Sequence, residues 1–263
     1  TMTVIPFDIF QDIWTIFLLV FVRITGMFFL SPIFGRRNIP NYFKAGFCFV
    51  LSIITANSIP VPQLNYTSLA AYIIVIAKEL LIGLMLGFIS YLLFSSIYIA
   101  GQLIDMRIGF GMISVFDPIT NVQIPITADF YVIIATVRML VTDAHHLLIQ
   151  ALVDSYKILP IGEAVFDGAA MSQVIKLFSD IFALGFKIAA PVTVSILITD
   201  ISLGIISKSI PQLNVFMLGM PIKIILGLTV ILITIGAFKG IVNVIIQGTY
   251  EEIYNFLRQA KGS

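Results

Sequence analysis

The chain is 263 residues long, 59% hydrophobic and only 11% charged, with a net charge of +1 and a mean hydropathy of +1.06. So even a balance gives no electrostatic pull toward nucleic acid or an acidic partner, and no stretch is polar enough for a separate soluble domain. A single cysteine, Cys48, excludes a disulfide within the chain and a thiolate metal cluster.

The composition predicts an all-α membrane protein, with residues 1–263 as one membrane domain. Apolar runs cover residues 9–31, 42–59, 67–100, 127–153, 173–208 and 214–247. Asp8 and Asp12 stand where a signal peptide carries basic residues, so the first run reads as a helix rather than a cleaved leader. Proline- and glycine-rich turns separate the runs at 31–40, 60–62, 101–125, 160–162 and 207–211. A bilayer core takes about 20 helical residues. Three runs fit one crossing, whereas 67–100, 173–208 and 214–247 are too long and must kink, tilt or project. Pro191 is the expected kink in the fifth, since it removes a backbone donor and clashes with the turn before it. The result is a set of long, partly kinked helices in hairpins.

Positive charge decides the topology only in part. Arg36, Arg37 and Lys44 place the first loop in the cytoplasm and the N-terminus outside. Six simple crossings then leave the C-terminus outside as well, although the polar tail at 248–263 carries Arg258 and Lys261 beside Glu251 and Glu252. At least one run is therefore not a simple crossing. Arg37-Asn38-Ile39-Pro40-Asn41 and Lys208-Ser209-Ile210-Pro211-Gln212 also echo each other between long helices, as two related hairpins would.

Eight charges interrupt the apolar runs: Arg23, Lys78, Glu79, Arg138, Asp180, Lys187, Asp200 and Lys223. Each costs roughly 2.5–3.5 kcal/mol at a lipid-facing helix centre. Their surfaces must therefore meet protein or water. Residues four apart share a helix face, which aligns Glu79 with Gly83 and Gly87, Lys223 with Gly219 and Gly227, and Asp200 with Gly204. Small residues at this spacing let helices approach closely. Lys176, Asp180 and Lys187 share another face, with a salt bridge expected one turn apart. One reading pairs all these charges within the bundle. The other leaves several unpaired until partner subunits dock, and it is favoured because Lys223 and Arg23 have no acid within two turns. On that reading Lys223 serves a partner contact.

Residues 101–125 form the second informative stretch. Met106, Ile108, Phe110, Met112, Ile113, Val115 and Phe116 make it apolar, while Gly109, Gly111 and Pro118 oppose a continuous helix. Irregular backbone at membrane depth survives only where protein buries it or where it borders a cavity. The segment is either a linker tucked against the bundle or a deformable seal of Met and Phe hinged on glycine. It lacks the carboxylate or carbonyl rings of an ion filter, and Asp117 with Pro118 reads as a turn.

Asp129, Asp143, His145 and His146 are the one set that raises metal or catalytic chemistry. Adjacent histidines point about 100° apart on a helix, and no further His or Cys completes a ligand set. We expect satisfied polar residues at a helix end, no metal and no cofactor. With no G-x-S-x-G, H-E-x-x-H or Walker sequence, an enzyme is not expected.

Five stretches resemble the FliR family of flagellar type III export-gate proteins, whose injectisome counterparts are the T-type export components. They are SPIFGRRNIPNYFKAGF (31–47), KELLIGLMLGF (78–88), AGQLIDMRIGFGMISVFDP (100–118), DAHHLLIQALVDSY (143–156) and KSIPQLNVFMLGMPIKI (208–224). The resemblance implies one copy beside several of FliP and FliQ, wound helically into the entrance of an export channel in the bacterial inner membrane, at the flagellar basal body. It also implies FlhB around the cytoplasmic side, FlhA as a ring below, and unfolded flagellar proteins as cargo. The family's apolar plug falls on 109–121, so the plug reading takes precedence over the linker: Gly109, Phe110, Gly111, Met112, Ile113, Phe116, Asp117 and Pro118. Subunit packing and buried charge fall to Lys78, Glu79, Gly83, Gly87, Asp200, Gly204, Gly219, Lys223 and Gly227. An injectisome subunit or a secondary transporter with broken helices are the alternatives.

Overall fold

The computed structural model describes residues 7–36, 38–59, 68–110, 125–165, 168–210, 212 and 214–261. Among these residues the regular structure is entirely helical: α1 (Phe7–Leu30), α2 (Asn41–Ser58), α3 (Leu69–Ile108), α4 (Ile126–Val141), α5 (Ala144–Ile158), α6 (Gly168–Ser209) and α7 (Val215–Ala260). The chain is thus an all-α membrane protein. Helices α3, α6 and α7 are long and apolar enough to cross a membrane, and α4 with α5 adds a fourth crossing if the two form one broken span. At 40, 42 and 46 residues, the three long helices extend about 60–70 Å at 1.5 Å per residue, twice a bilayer core of about 30 Å. Pro191 lies inside α6 as expected, and Pro221 inside α7 is a second interruption that the sequence reading did not single out.

The run at 127–153 is two helices rather than one. Asp143 stands between them with φ of 53°, in the left-handed region where a helix cannot continue. The polar pair Thr142-Asp143 inside an apolar run is the signal for this break. At the other extreme, the tail at 248–263 continues α7 as helix through Ala260, because Ile253, Phe256, Leu257 and Ala260 recur every three or four residues and are all buried.

The chain forms two compact units. The first comprises Thr1–Leu92, Asp143–Leu177 and Gly248–Ser263, and the second Leu93–Thr142 and Phe178–Gln247. In the first unit α1 lies hard against α3. A methyl group on Gly83 would strike the backbone carbonyl of Arg23, and one on Gly87 would lie 2.6 Å from the carbonyl oxygen of Met27. This close approach brings Arg23 and Glu79, both fully buried, together at 2.6 Å between Nε and Oε2. Arg23 Nη1 also donates to Ser155 Oγ and to the carbonyl of Leu159, each at 3.1 Å, and its guanidinium lies 4.2 Å over the ring of Tyr156. The second carboxylate oxygen of Glu79 accepts the Gly162 N–H at 2.9 Å. One ion pair therefore ties α1, α3, α5 and the turn after α5.

The end of α7 docks on the same unit. Tyr254 donates to Asp154 at 2.7 Å, Gln173 reaches Glu252 at 2.8 Å, and the Val165 N–H meets the Ala260 carbonyl at 2.9 Å. Helix α2 turns Cys48, Ser52 and Thr55 inward and leaves Phe43, Phe49, Ile53 and Ile54 exposed, the reverse of a helix in water. In the second unit Gly101 lies directly on the backbone of Ala128, and Tyr131 stacks on Phe238 with centroids 4.6 Å apart. Gly227 faces Ile108. Throughout the helices, hydroxyls bond backward to the carbonyl four residues earlier. Ser52, Ser90, Thr136, Ser195, Thr199, Ser202, Thr229 and Thr234 do so at 2.6–2.9 Å.

Two outcomes test the first unit. Gly83→Val inserts atoms where only backbone stands opposite, so it should cost about 3 kcal/mol or more and abolish the monodisperse peak in detergent chromatography. A normal elution profile would remove the close approach from the account. Glu79→Leu leaves a buried guanidinium unpaired, at a cost of about 3–5 kcal/mol, and the double variant Arg23→Met/Glu79→Leu should melt higher than that single variant. A double variant that melts lower still in thermal denaturation would contradict the pairing.

Candidate functional site

The sequence reading starts the irregular segment at residue 101, but α3 continues through Ile108. Gly101, Ile104, Asp105 and Ile108 share one buried face, and the glycine is there for its contact with Ala128 rather than for a turn. The helix stops at Gly109, whose φ of +100° suits a residue without a Cβ, and whose N–H bonds the Asp105 carbonyl at 3.1 Å. Phe110 follows, half-buried. Gly111, Met112, Ile113, Phe116, Asp117 and Pro118 lie outside the described residues.

The chain resumes at Pro125, which occupies the cap position of α4 with no side-chain oxygen to offer. Asp105 supplies it from the end of α3. Its two carboxylate oxygens accept the Thr127 N–H at 3.0 and 3.1 Å, and the residue is only 6% exposed. A helix that begins after Pro125 without its own Ser, Thr, Asp or Asn is the sequence sign that an acceptor comes from elsewhere. The two ends of residues 109–125 are thus fixed together by Asp105–Thr127 and by Gly101 on Ala128.

The charges sort into two groups. Arg23 and Lys223 both have acidic partners in the chain: Arg23 bonds Glu79, and Lys223 forms a salt bridge with Asp200. This corrects the expectation that they wait for another subunit. The acids sit on different helices, which a search along one helix does not reach. Lys223 and Asp200 remain 27% and 39% exposed, so their bridge borders the surface. Arg138 Nε reaches Asn243 Oδ1 at 3.4 Å. Among the described residues, Lys78 (half-buried) and Lys176, Asp180 and Lys187 (all exposed) have no ion-pair partner, and the Lys176–Asp180 bridge does not form.

The glycines divide similarly. Gly83 and Gly87 meet α1 of the same chain, Gly219 meets Leu203, and Gly227 meets Ile108. Gly204, beside Asp200 on α6, is exposed with open space over it.

The histidines depart from expectation. Their rings lie 4.1 Å apart between centroids rather than diverging, and with Asp143 their ligand atoms fall within 4.8 Å of one another. The left-handed backbone at Asp143 turns its carboxylate toward the first turn of α5, 3.6 Å from His146 Nδ1.

Residues 14–249 match the model of the bacterial export proteins, family 1. The flagellar biosynthetic protein FliR of Bacillus subtilis (strain 168) is 34% identical over 94% of this chain and 96% of its own length. FliR of Aquifex aeolicus (strain VF5) is 30% identical over 83% of the chain and 84% of its length, and FliR of Escherichia coli (strain K12) 26% identical over 90% and 88%. The chain belongs to the FliR family of bacterial export proteins.

Proposed function

We propose that this chain is a subunit of the flagellar type III protein export gate in the bacterial inner membrane. It assembles helically with FliP and FliQ around the entrance channel, next to FlhB and FlhA, and passes unfolded flagellar proteins. All of residues 1–263 serve this one role. The flagellar rather than injectisome assignment follows the names of the relatives. The work is steric rather than enzymatic. No nucleotide-binding motif is present in the sequence, so the energy for export comes from other components.

Within the gate, residues 109–121 act as an apolar plug. Phe110, Met112, Ile113 and Phe116 fill the lumen, Gly109 and Gly111 allow movement, and Asp117-Pro118 turns the chain. The observation that supports this most is the pinning of the segment's two ends by Asp105 on Thr127. A seal that moves aside and returns needs fixed anchors, and this carboxylate gives the segment one on each side. Unpaired Lys78, Asp180 and Lys187, together with open Gly204, support neighbours along α3 and α6, since charge of this kind is costly against lipid.

Deleting residues 110–116 should leave the assembled complex at normal yield and make the membrane leak ions, read as conductance in cells or planar bilayers. Unchanged conductance would sink the plug assignment. For Lys223, the internal bridge makes a sharper test than loss of charge alone. Lys223→Met should lower complex yield several-fold, and the swap Asp200→Lys/Lys223→Asp should restore most of it. A swap as poor as Lys223→Met would mean that the lysine answers to another subunit after all.

A further inference from the structure

We propose that Asp143, His145 and His146 form a binding site for a divalent transition-metal ion of the zinc type. The donors are two imidazole nitrogens and one carboxylate oxygen at the start of α5, all within the first unit. Imidazole with carboxylate suits zinc, copper or nickel, while magnesium and calcium favour all-oxygen sites.

Three observations converge on this set. First, Asp143 stands at the N-cap of α5, where an aspartate normally accepts a backbone N–H through its side chain, yet its carboxylate caps nothing. Its left-handed backbone carries the carboxylate to the imidazoles instead. Second, His145 Nδ1 is enclosed and has no hydrogen-bond partner. A buried ring nitrogen without a partner is the kind of orphan that a bound ion satisfies. Third, the distances come close to a coordination sphere. Tetrahedral bonds of about 2.1 Å put neighbouring ligand atoms about 3.4 Å apart. Here the three ligand atoms lie within 4.8 Å of one another, and Asp143 Oδ1 and His146 Nδ1 are 3.6 Å apart. The side chains of His146 and Asp143 are 67% and 75% exposed, so small rotations close the gap without disturbing the core. That exposure also gives the ion an entry path and leaves its remaining coordination positions to water.

The ion would act as a cross-link and not as a cap, since a cation accepts no hydrogen bond from the free N–H groups of a helix start. It would tie the left-handed residue to the first turn of α5 and hold both imidazoles in one arrangement. Neither this role nor the site depends on the export reading.

The chain has only two histidines, so any imidazole-bound metal must use one or both of this pair. The full-length chain, carrying an affinity tag without histidine, would be purified in detergent, stripped with chelator and titrated with zinc chloride against a chromogenic zinc indicator. One zinc per chain should bind saturably, and an excess of magnesium should not displace it. His146→Gln and Asp143→Asn, both at exposed positions, should each weaken binding by at least about tenfold while eluting as the wild type does. Cobalt should give a visible absorption band with the wild-type chain and none with His146→Gln. Zinc uptake no different between wild type and both variants would overturn the proposal, as would displacement by magnesium at equal concentration.

Discussion

A guanidinium sealed from water is tolerable only when its charge and most of its donors are met, and Arg23 sets that requirement at the centre of the first unit, where Nη2 is left without a hydrogen-bond partner among the described residues. Glu79 meets the charge, Ser155 and Leu159 take one terminal nitrogen, and Tyr156 covers the plane. The partners come from two distant parts of the chain, Glu79 from α3 and the other three from the end of α5. The glycines of α3 are a condition of the pair, since side chains at 83 and 87 would hold α1 too far off for the 2.6 Å contact. Helix packing and charge neutralisation are therefore one constraint: remove the small residues and the ion pair cannot close.

The second unit meets the same problem nearer its surface. Asp200 and Lys223 neutralise each other while still partly exposed, and Asp105, with no ion-pair partner among the described residues, uses its oxygens to finish a helix that starts with proline. Of the charges that interrupt the apolar runs, half-buried Lys78 on α3 and exposed Asp180 and Lys187 on α6 have no ion-pair partner among the described residues. Acid and base thus do two different tasks in one apolar chain: they lock a core and cap a helix.

Much of this was legible in the sequence. The apolar runs and their proline and glycine boundaries place most helices within a few residues, because backbone chemistry at a turn is local. The 208–224 stretch and its companions carry the family. What stayed hidden was non-local. Arg23 finds Glu79 fifty-six positions away, and nothing along either helix announces the match. Gly101 read as the start of a turn because a glycine's contact partner, Ala128, cannot be seen from its neighbours. The two histidines were expected to diverge, since backbone geometry alone separates them; the side chains rotate back together beside a left-handed aspartate. The polar pair at 142–143 did signal a break, and averaging over the run concealed it.

The backward-bonded hydroxyls carry a last consequence. Ser195, Thr199 and Ser202 on α6, with Thr229 and Thr234 on α7, already give their protons to the carbonyls one turn behind. To anything lying alongside, such a residue looks nearly as inert as alanine or valine. Exchanging one set of surroundings for another then strands no donor, whether lipid or protein lies alongside. The same bonds slightly loosen the helical ladder they lean on, which gives long rods some bend without a further proline.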